Sequence, residues 1–175
     1  MKKNLLLLII PVLITACQPK TTTTTSAAAA SASPSYPYTI KHPDYWDVDT
    51  SHTNTMTALT ALKSFEKSDT AAMKKCFADS IEFKYDGDEF KGTNAQFMKM
   101  GAQMGSMMKN MKIDMKDWES VVSKDKKEEW VTIWYTQHWT DAKGVADSVE
   151  NINDMAFKGG KIYKMDEYSR HFKKK

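Results

Sequence analysis

The chain has only two cysteines, seven glycines, five prolines and four histidines in 175 residues. Each scarcity removes a class of protein. If Cys17 is used at the N-terminus, Cys76 has no partner, and a disulfide-stapled scaffold is excluded. The histidines at 42, 52, 138 and 171 show no ligand-like spacing, and there is no CxxC, HExxH, GxSxG or glycine-rich phosphate loop. Zinc, serine-hydrolase and phosphate-loop chemistry therefore have no motif to rest on, and neither a metal nor a cofactor is predicted. Charge of one sign is also missing. The 25 basic side chains face 22 acidic ones, a net +3, which leaves no basic footprint for nucleic acid. The most apolar run, Leu5 to Ile14, falls short of the roughly 20 residues that a spanning helix needs.

That short run has a different meaning. Lys2 and Lys3 precede it, and Ile14-Thr15-Ala16-Cys17 closes it with a branched aliphatic, two small residues and a cysteine. The sequence resembles the signal and lipobox of bacterial lipoproteins. The resemblance implies that residues 1–16 are a cleaved signal peptide. It also implies that the Cys17 thiol carries diacylglycerol and the new N-terminus a further acyl chain such as palmitate. Several acyl chains anchor stably where one is marginal. Gln18 stands where an Asp is linked with inner-membrane retention, so the predicted location is the cell envelope, outer membrane favoured. Losing Lys2 and Lys3 leaves 23 basic against 22 acidic side chains. Residues 17–44 hold the lipidated cysteine and a Thr/Ala/Ser-rich tether, "KTTTTTSAAAASASPSYP" at its centre, too simple in composition to form a core. Such a flexible stretch would hold the domain roughly 25 Å from the membrane. Residues 45–175 are one domain's worth of chain.

Within that domain the apolar period changes in a readable order. "HTNTMTALTALKSFEKSD" carries Met56, Leu59, Leu62 and Phe65 at helical spacing, and Asp69 can cap a second short helix, "TAAMKKCFAD". Cys76 falls among its apolar positions and reads as a buried, inert thiol. In "SIEFKYDGDEFKG" Ile81, Phe83 and Tyr85 alternate with polar residues up to a turn at Asp86-Gly87, which predicts a half-buried strand. Glu82 and Asp86 should point out of it. A methionine-rich helix follows from Thr93. Three strand-like stretches close the chain: "MKIDMKDWESVVS", "EEWVTIWYTQHWT", and "DSVENINDMAFKGGKIYKMDEYSR", the last a pair of strands joined at Gly159-Gly160. The predicted class is α+β, three helices packed on a mainly antiparallel sheet.

Met98 to Met115 holds seven methionines in eighteen residues. At 100° per residue, Phe97, Met100, Gly101, Met104, Met107, Met108 and Met111 share one face, so the stretch predicts an amphipathic helix with Met100, Met104, Met108 and Met111 in the core. Met98 lies off that stripe and is predicted to be the most exposed of them. A Cu(I) site is the weakest reading, because sulfurs spread over three turns do not aim at one point. Gly101 and Gly105 predict a close approach to the helix backbone.

These features together resemble the nuclear transport factor 2-like superfamily in its SnoaL-like branch. The residues that carry the likeness are the paired N-terminal helices, "FADSIEF" after "FEKSDTAAMKKC", then "VTIWYTQHWTDAKG" and the closing "FKGGKIYKMDEYSR". The resemblance implies a strongly curved sheet wrapped around helices as a cone, an apolar cavity inside, and homodimers through the sheet's outer face. An isomerase of that family would need a carboxylate where this sequence places Tyr85, and a phenol is a poor base near neutral pH.

The strand from Trp130 to Trp139 has no purely polar face, so both faces should be covered. Candidate ligand-binding residues are Tyr85, Trp134, Tyr135 and Asn153. Asn151 and Asn153 lie on a strand with Val149, Ile152 and Met155, and face either the cavity or a solvated edge. The main functional expectation is an exported, lipid-anchored domain that binds a small apolar ligand or a partner protein through its cavity or sheet face. The alternative is a lyase, isomerase or hydrolase using His138 as general base and Asp154 to orient it. Asp69-Thr70-Ala71, Asp79-Ser80-Ile81 and Asp147-Ser148-Val149 also fit an Asp-Ser/Thr-apolar glycosylation pattern, though Asp beside Ser or Thr equally suits element boundaries.

Overall fold

The computed structural model describes residues 35–172. The signal peptide, Cys17 and most of the tether lie outside them. The compact unit begins at Lys41, and a short strand near its start joins the sheet. That strand, β1 (Trp46–Val48), forms one edge of a seven-stranded sheet.

Two helices come next. α1 (Thr53–Glu66) buries Ala58, Ala61 and Leu62 on one face, and the hydroxyls of Thr57, Thr60 and Ser64 each donate to the carbonyl four residues back. α2 (Thr70–Cys76) is capped as predicted by Asp69, whose carboxylate accepts from Ala72 N at 2.9 Å. It stops at Cys76, earlier than the sequence suggested, because Phe77 is already extended and starts β2 (Phe77–Tyr85). Cys76 is buried and unbridged, and burial pushes its thiol up.

Asp86 and Gly87 both adopt positive φ, 43° and 87°, as a tight hairpin turn requires. The turn leads into β3 (Asp88–Thr93), a strand beyond the one predicted for this stretch. Thr93 then caps α3 (Asn94–Met107) in a reciprocal box with Gln96. The remaining strands are β4 (Lys109–Ser123), β5 (Glu129–Thr140), β6 (Ala146–Lys158) and β7 (Lys161–His171), with Gly159 and Gly160 at φ 57° and 72° turning the last hairpin. The sheet order is β1-β4-β5-β6-β7-β2-β3, antiparallel except where β2 runs parallel to β7. The three helices and this curved sheet make the α+β cone. Among the described residues no helix is long and apolar enough to cross a membrane.

The methionine helix differs from its prediction in three ways. It ends at Met107, so Met111 belongs to β4 and Met108 to the junction. Met100, Met104, Met108 and Met111 are half-buried, not fully so. Met98 is buried at 8% exposure, whereas Met107 is 63% exposed. The buried stripe is narrower than the periodicity predicts and lies nearer the N-terminus of the helix. The buried line runs through Asn94, Phe97, Met98 and Gly101, because the helix meets α2 and β2 near its start. At Gly101 an added Cβ would stand 3.5 Å from Met73 Cε, which fits the predicted helix packing, while Gly105 has more room.

Candidate functional site: a polar-floored apolar cavity

The inner face of the sheet follows from strict alternation. On β5, Val131, Ile133, Tyr135 and Gln137 point in and are buried. Their partners on β6 are Met155, Asn153, Asn151 and Val149, and those pair in turn with Met165, Glu167, Ser169 and His171 on β7. Across three neighbouring strands the inward set is thus apolar at one end and polar at the other. α1, α2 and α3 cover it with Ala61, Leu62, Phe65, Met73, Phe97, Met100, Gly101 and Met104, enclosing a cavity of about 250 Å³. Phe77, Phe83, Tyr85, Met108 and Trp139 complete the walls, and Asp86 stands at the margin. No lysine or arginine lines it among the described residues.

The polar end is a connected network. The Tyr135 hydroxyl lies 3.3 Å from Asn153 Oδ1 and 3.4 Å from Glu167 Oε2, either of which accepts its proton, and it accepts from Asn151 Nδ2 at 3.3 Å. Ser169 Oγ donates to Asn151 Oδ1 at 2.8 Å. Two amides reach sulfur: Asn153 Nδ2 to Met165 Sδ at 3.3 Å and Gln137 Nε2 to Met108 Sδ at 3.0 Å. Satisfied networks of this kind fix a buried site's geometry.

Enclosure decides the protonation chemistry. Burial pushes the Glu167 carboxyl above the usual carboxylate range, the hydrogen bonds from Asn153 and Tyr135 pull the other way, and the negative charge of Asp86 adds to the rise. The residue keeps some exposure as a whole, but its carboxyl group is surrounded by protein. Burial raises Tyr135 well above the ordinary phenol value, helped by the charge of Glu167, so its hydroxyl keeps its proton. The cavity therefore offers hydroxyl and amide groups, the buried carboxyl of Glu167 and, at the margin, that of Asp86 in otherwise apolar surroundings.

The sequence candidates separate into two groups. Tyr85, Tyr135 and Asn153 line the cavity, as does Asn151. Trp134, His138 and Asp154 do not. All three stand on the opposite face of the sheet, since β5 carries its even-numbered side chains outward. His138 Nε2 lies 3.3 Å from Asp114 Oδ2, with the two side chains 45% and 51% exposed. Asp154 accepts from Thr132 Oγ1 at 2.7 Å, six residues along β6 from Ser148, the partner of His138. That spacing is roughly 20 Å of strand, so the two do not form a base and its orienting acid. Asp86, expected to point away, reaches the cavity margin because the turn redirects it. Glu167 was missed. It was legible by counting in twos from Met165 through "MDEYS", but a carboxylate in that stretch reads at first as solvent-facing.

Among the described residues no cluster of three or more His, Cys, Asp or Glu side chains has the geometry to hold a metal ion.

No protein-family model and no curated protein matches the sequence. The fold, in contrast, is similar to many solved structures. One is a nuclear transport factor 2-like protein of unknown function from Exiguobacterium sp. 255-15, 17% identical over 65% of this chain and 98% of that one, TM-score 0.54. Another is a Catenulispora acidiphila protein of ketosteroid isomerase-like fold in complex with trimethylamine, 14% identical over 64% and 83% of the two chains, TM-score 0.53. A third is a Mycobacterium tuberculosis protein in complex with estradiol-17beta-hemisuccinate, 10% identical over 66% and 92%, TM-score 0.54.

Proposed function

We propose that this chain, which has the nuclear transport factor 2-like fold, is an exported, lipid-anchored protein whose cavity binds a small, largely apolar molecule by one polar group. The observation that carries the reading is the cavity itself. Its walls are methionine and aromatic, and polar groups from β6 and β7 converge on Tyr135 of β5. Binding pockets have this construction: mostly apolar walls with a few placed polar groups that fix orientation. Half-buried Met100, Met104 and Met108 make part of the wall adaptable, since an unbranched thioether repacks around varied shapes. Solved proteins of this fold hold trimethylamine and a steroid ester in two of the cases above, which supports the use of the fold for small ligands.

The lipobox at Ile14–Cys17 supports attachment to the envelope, the outer membrane in particular. The outward row Trp134, Ile152 and Tyr168 across β5, β6 and β7 supports pairing of two copies through the sheet. Acid–base catalysis is a second reading, and Glu167 favours it over His138 and Asp154, because a buried carboxyl beside a hydroxyl in a cavity is suited to proton transfer.

The test is binding of apolar probes to the full chain, followed by tryptophan fluorescence and thermal shift. Trp139 lines the cavity, so a ligand that enters it should change the emission. Substituting Met104→Trp, which fills the space from α3, should abolish binding while the fold persists. Binding that survives that substitution would place the ligand elsewhere and remove the reading.

A further inference from the structure

We infer that the cavity selects an apolar molecule with a cationic head, a lipophilic ammonium, over an anionic or neutral molecule with the same tail, with Glu167 as its counter-ion. The inference rests on the ligand-binding reading above and adds the chemical class of the ligand.

The charge of the lining comes first. Asp86 and Glu167 bring carboxylates to the cavity, and no lysine or arginine lines it among the described residues. A fatty-acid carboxylate placed there would meet two carboxyl groups, with His171 as its one candidate cationic partner among the described lining residues, at a cost that grows away from bulk water. The amides present already have acceptors: Asn151 donates to Tyr135, Asn153 to Met165 and Gln137 to Met108.

The second observation is the aromatic surface beside Glu167. Tyr85 is the partner of Glu167 across the parallel β2–β7 ladder, so both side chains rise from the same face at the same level. Phe83 stacks on Tyr85 at 4.6 Å between ring centroids, 15° from parallel. The stack covers one face of Tyr85, and a carboxyl level with a cavity-lining aromatic ring suits an ammonium group, since ring faces carry negative electrostatic potential.

Third, among the described residues Glu167 has neutral partners, the Asn153 amide and the Tyr135 hydroxyl, and no cation pairs with it. Tyr135 reaches it only at 3.4 Å, long for an O–H···O bond. Burial holds the carboxyl above its usual range, whereas a bound cation would favour its charged form. Affinity for a fixed cation should therefore rise with pH through the titration of Glu167. In the cavity the titratable groups around Glu167 are Tyr85 and Asp86 from the β2 side, Tyr135 on β5 and His171 on its own strand, while the three helices contribute only uncharged residues to the lining. Lys84, Asp88, Glu89 and Asp166 share with Glu167 the open polar depression beside it.

The test is calorimetric titration of the full chain with octyltrimethylammonium, octanol and octanoate, three probes with one tail and different heads. The first has a charge independent of pH. We expect the ammonium to bind about tenfold more tightly than octanol, with octanoate weakest. In Glu167→Gln the ratio of ammonium to octanol affinity should fall to within about threefold of unity, and the rise of ammonium affinity with pH should flatten. Persistence of the rise in Glu167→Gln would assign it to Asp86 or His171 and overturn the role of Glu167. Octanoate binding as tightly as the ammonium would overturn the inference, as would octanol binding with no preference for the cation, although the latter leaves the ligand-binding reading intact. Failure of all three probes to bind would remove both.

Discussion

Replacing Met98 by alanine should cost far more stability than replacing any other methionine of α3. Met98 is 8% exposed, within the cluster that includes Phe97, Ala58, Met73 and Phe77. Burying a methionine side chain fully contributes roughly 1.5–3 kcal/mol of transfer free energy. Deleting it also leaves a void in a close-packed region, so Met98→Ala should destabilise by about 2–5 kcal/mol. Helix propensity cannot be the cause, because alanine is the better helix former. Met104 is half-buried and borders space that already exists, so its removal enlarges a cavity without creating one; about 1–2 kcal/mol is expected. Met107 is 63% exposed, and Met107→Ala should fall within about 0.5 kcal/mol of wild type. Urea unfolding of the full chain, followed by tryptophan fluorescence and far-UV circular dichroism, reads all three as shifts in midpoint at constant slope. Equal midpoints for Met98→Ala and Met107→Ala would refute the packing described for α3, and a larger loss at Met107 would restore the broader stripe drawn from helical periodicity.

Three further outcomes follow from other parts of the molecule. The Glu167 carboxyl is raised above its unfolded value near 4.3, so the native state retains a proton that the unfolded chain loses; its contribution to stability is full below that value and lost as pH rises through the folded pKa. Glu167→Gln should therefore gain stability relative to wild type as pH rises from about 4 to 8, measured by urea midpoints, and a difference constant across that range would contradict the enclosed carboxyl. Ile152→Lys with Tyr168→Glu adds charge to the outward row of the sheet and should convert a dimer to a monomer in sedimentation without loss of fold, whereas an unchanged mass would locate pairing elsewhere. Cys17→Ser should abolish incorporation of a fatty-acid analogue and release the protein from membranes; label retained by the variant would end the lipoprotein assignment.

Periodicity was most informative where one face of an element is simply in and the other out. The alternation Ile81, Phe83, Tyr85 placed Tyr85 on the inner side of β2, whereas β5, with no purely polar face, left its inner side open. Turn chemistry was equally local: Asp86-Gly87 and Gly159-Gly160 turn hairpins because their backbone needs positive φ. The caps Asp69 and Thr93 declared the starts of α2 and α3. The class of fold, the element order of the second half and much of the core were therefore set by the chain's local chemistry. Tertiary structure decided the rest. Which methionines are buried depended on where α3 crosses α2 and β2, and no helical wheel contains that crossing. Whether His138 and Asp154 met depended on the phase of β5 and on register, which put both on the outer face and far apart. Glu167 became the electrostatic centre of the cavity only because β7 lies between β6 and β2, bringing Asn153, Tyr135 and Asp86 around one carboxylate. A side chain's type and strand position are local, but the dielectric and partners that fix its chemistry come from residues distant in sequence.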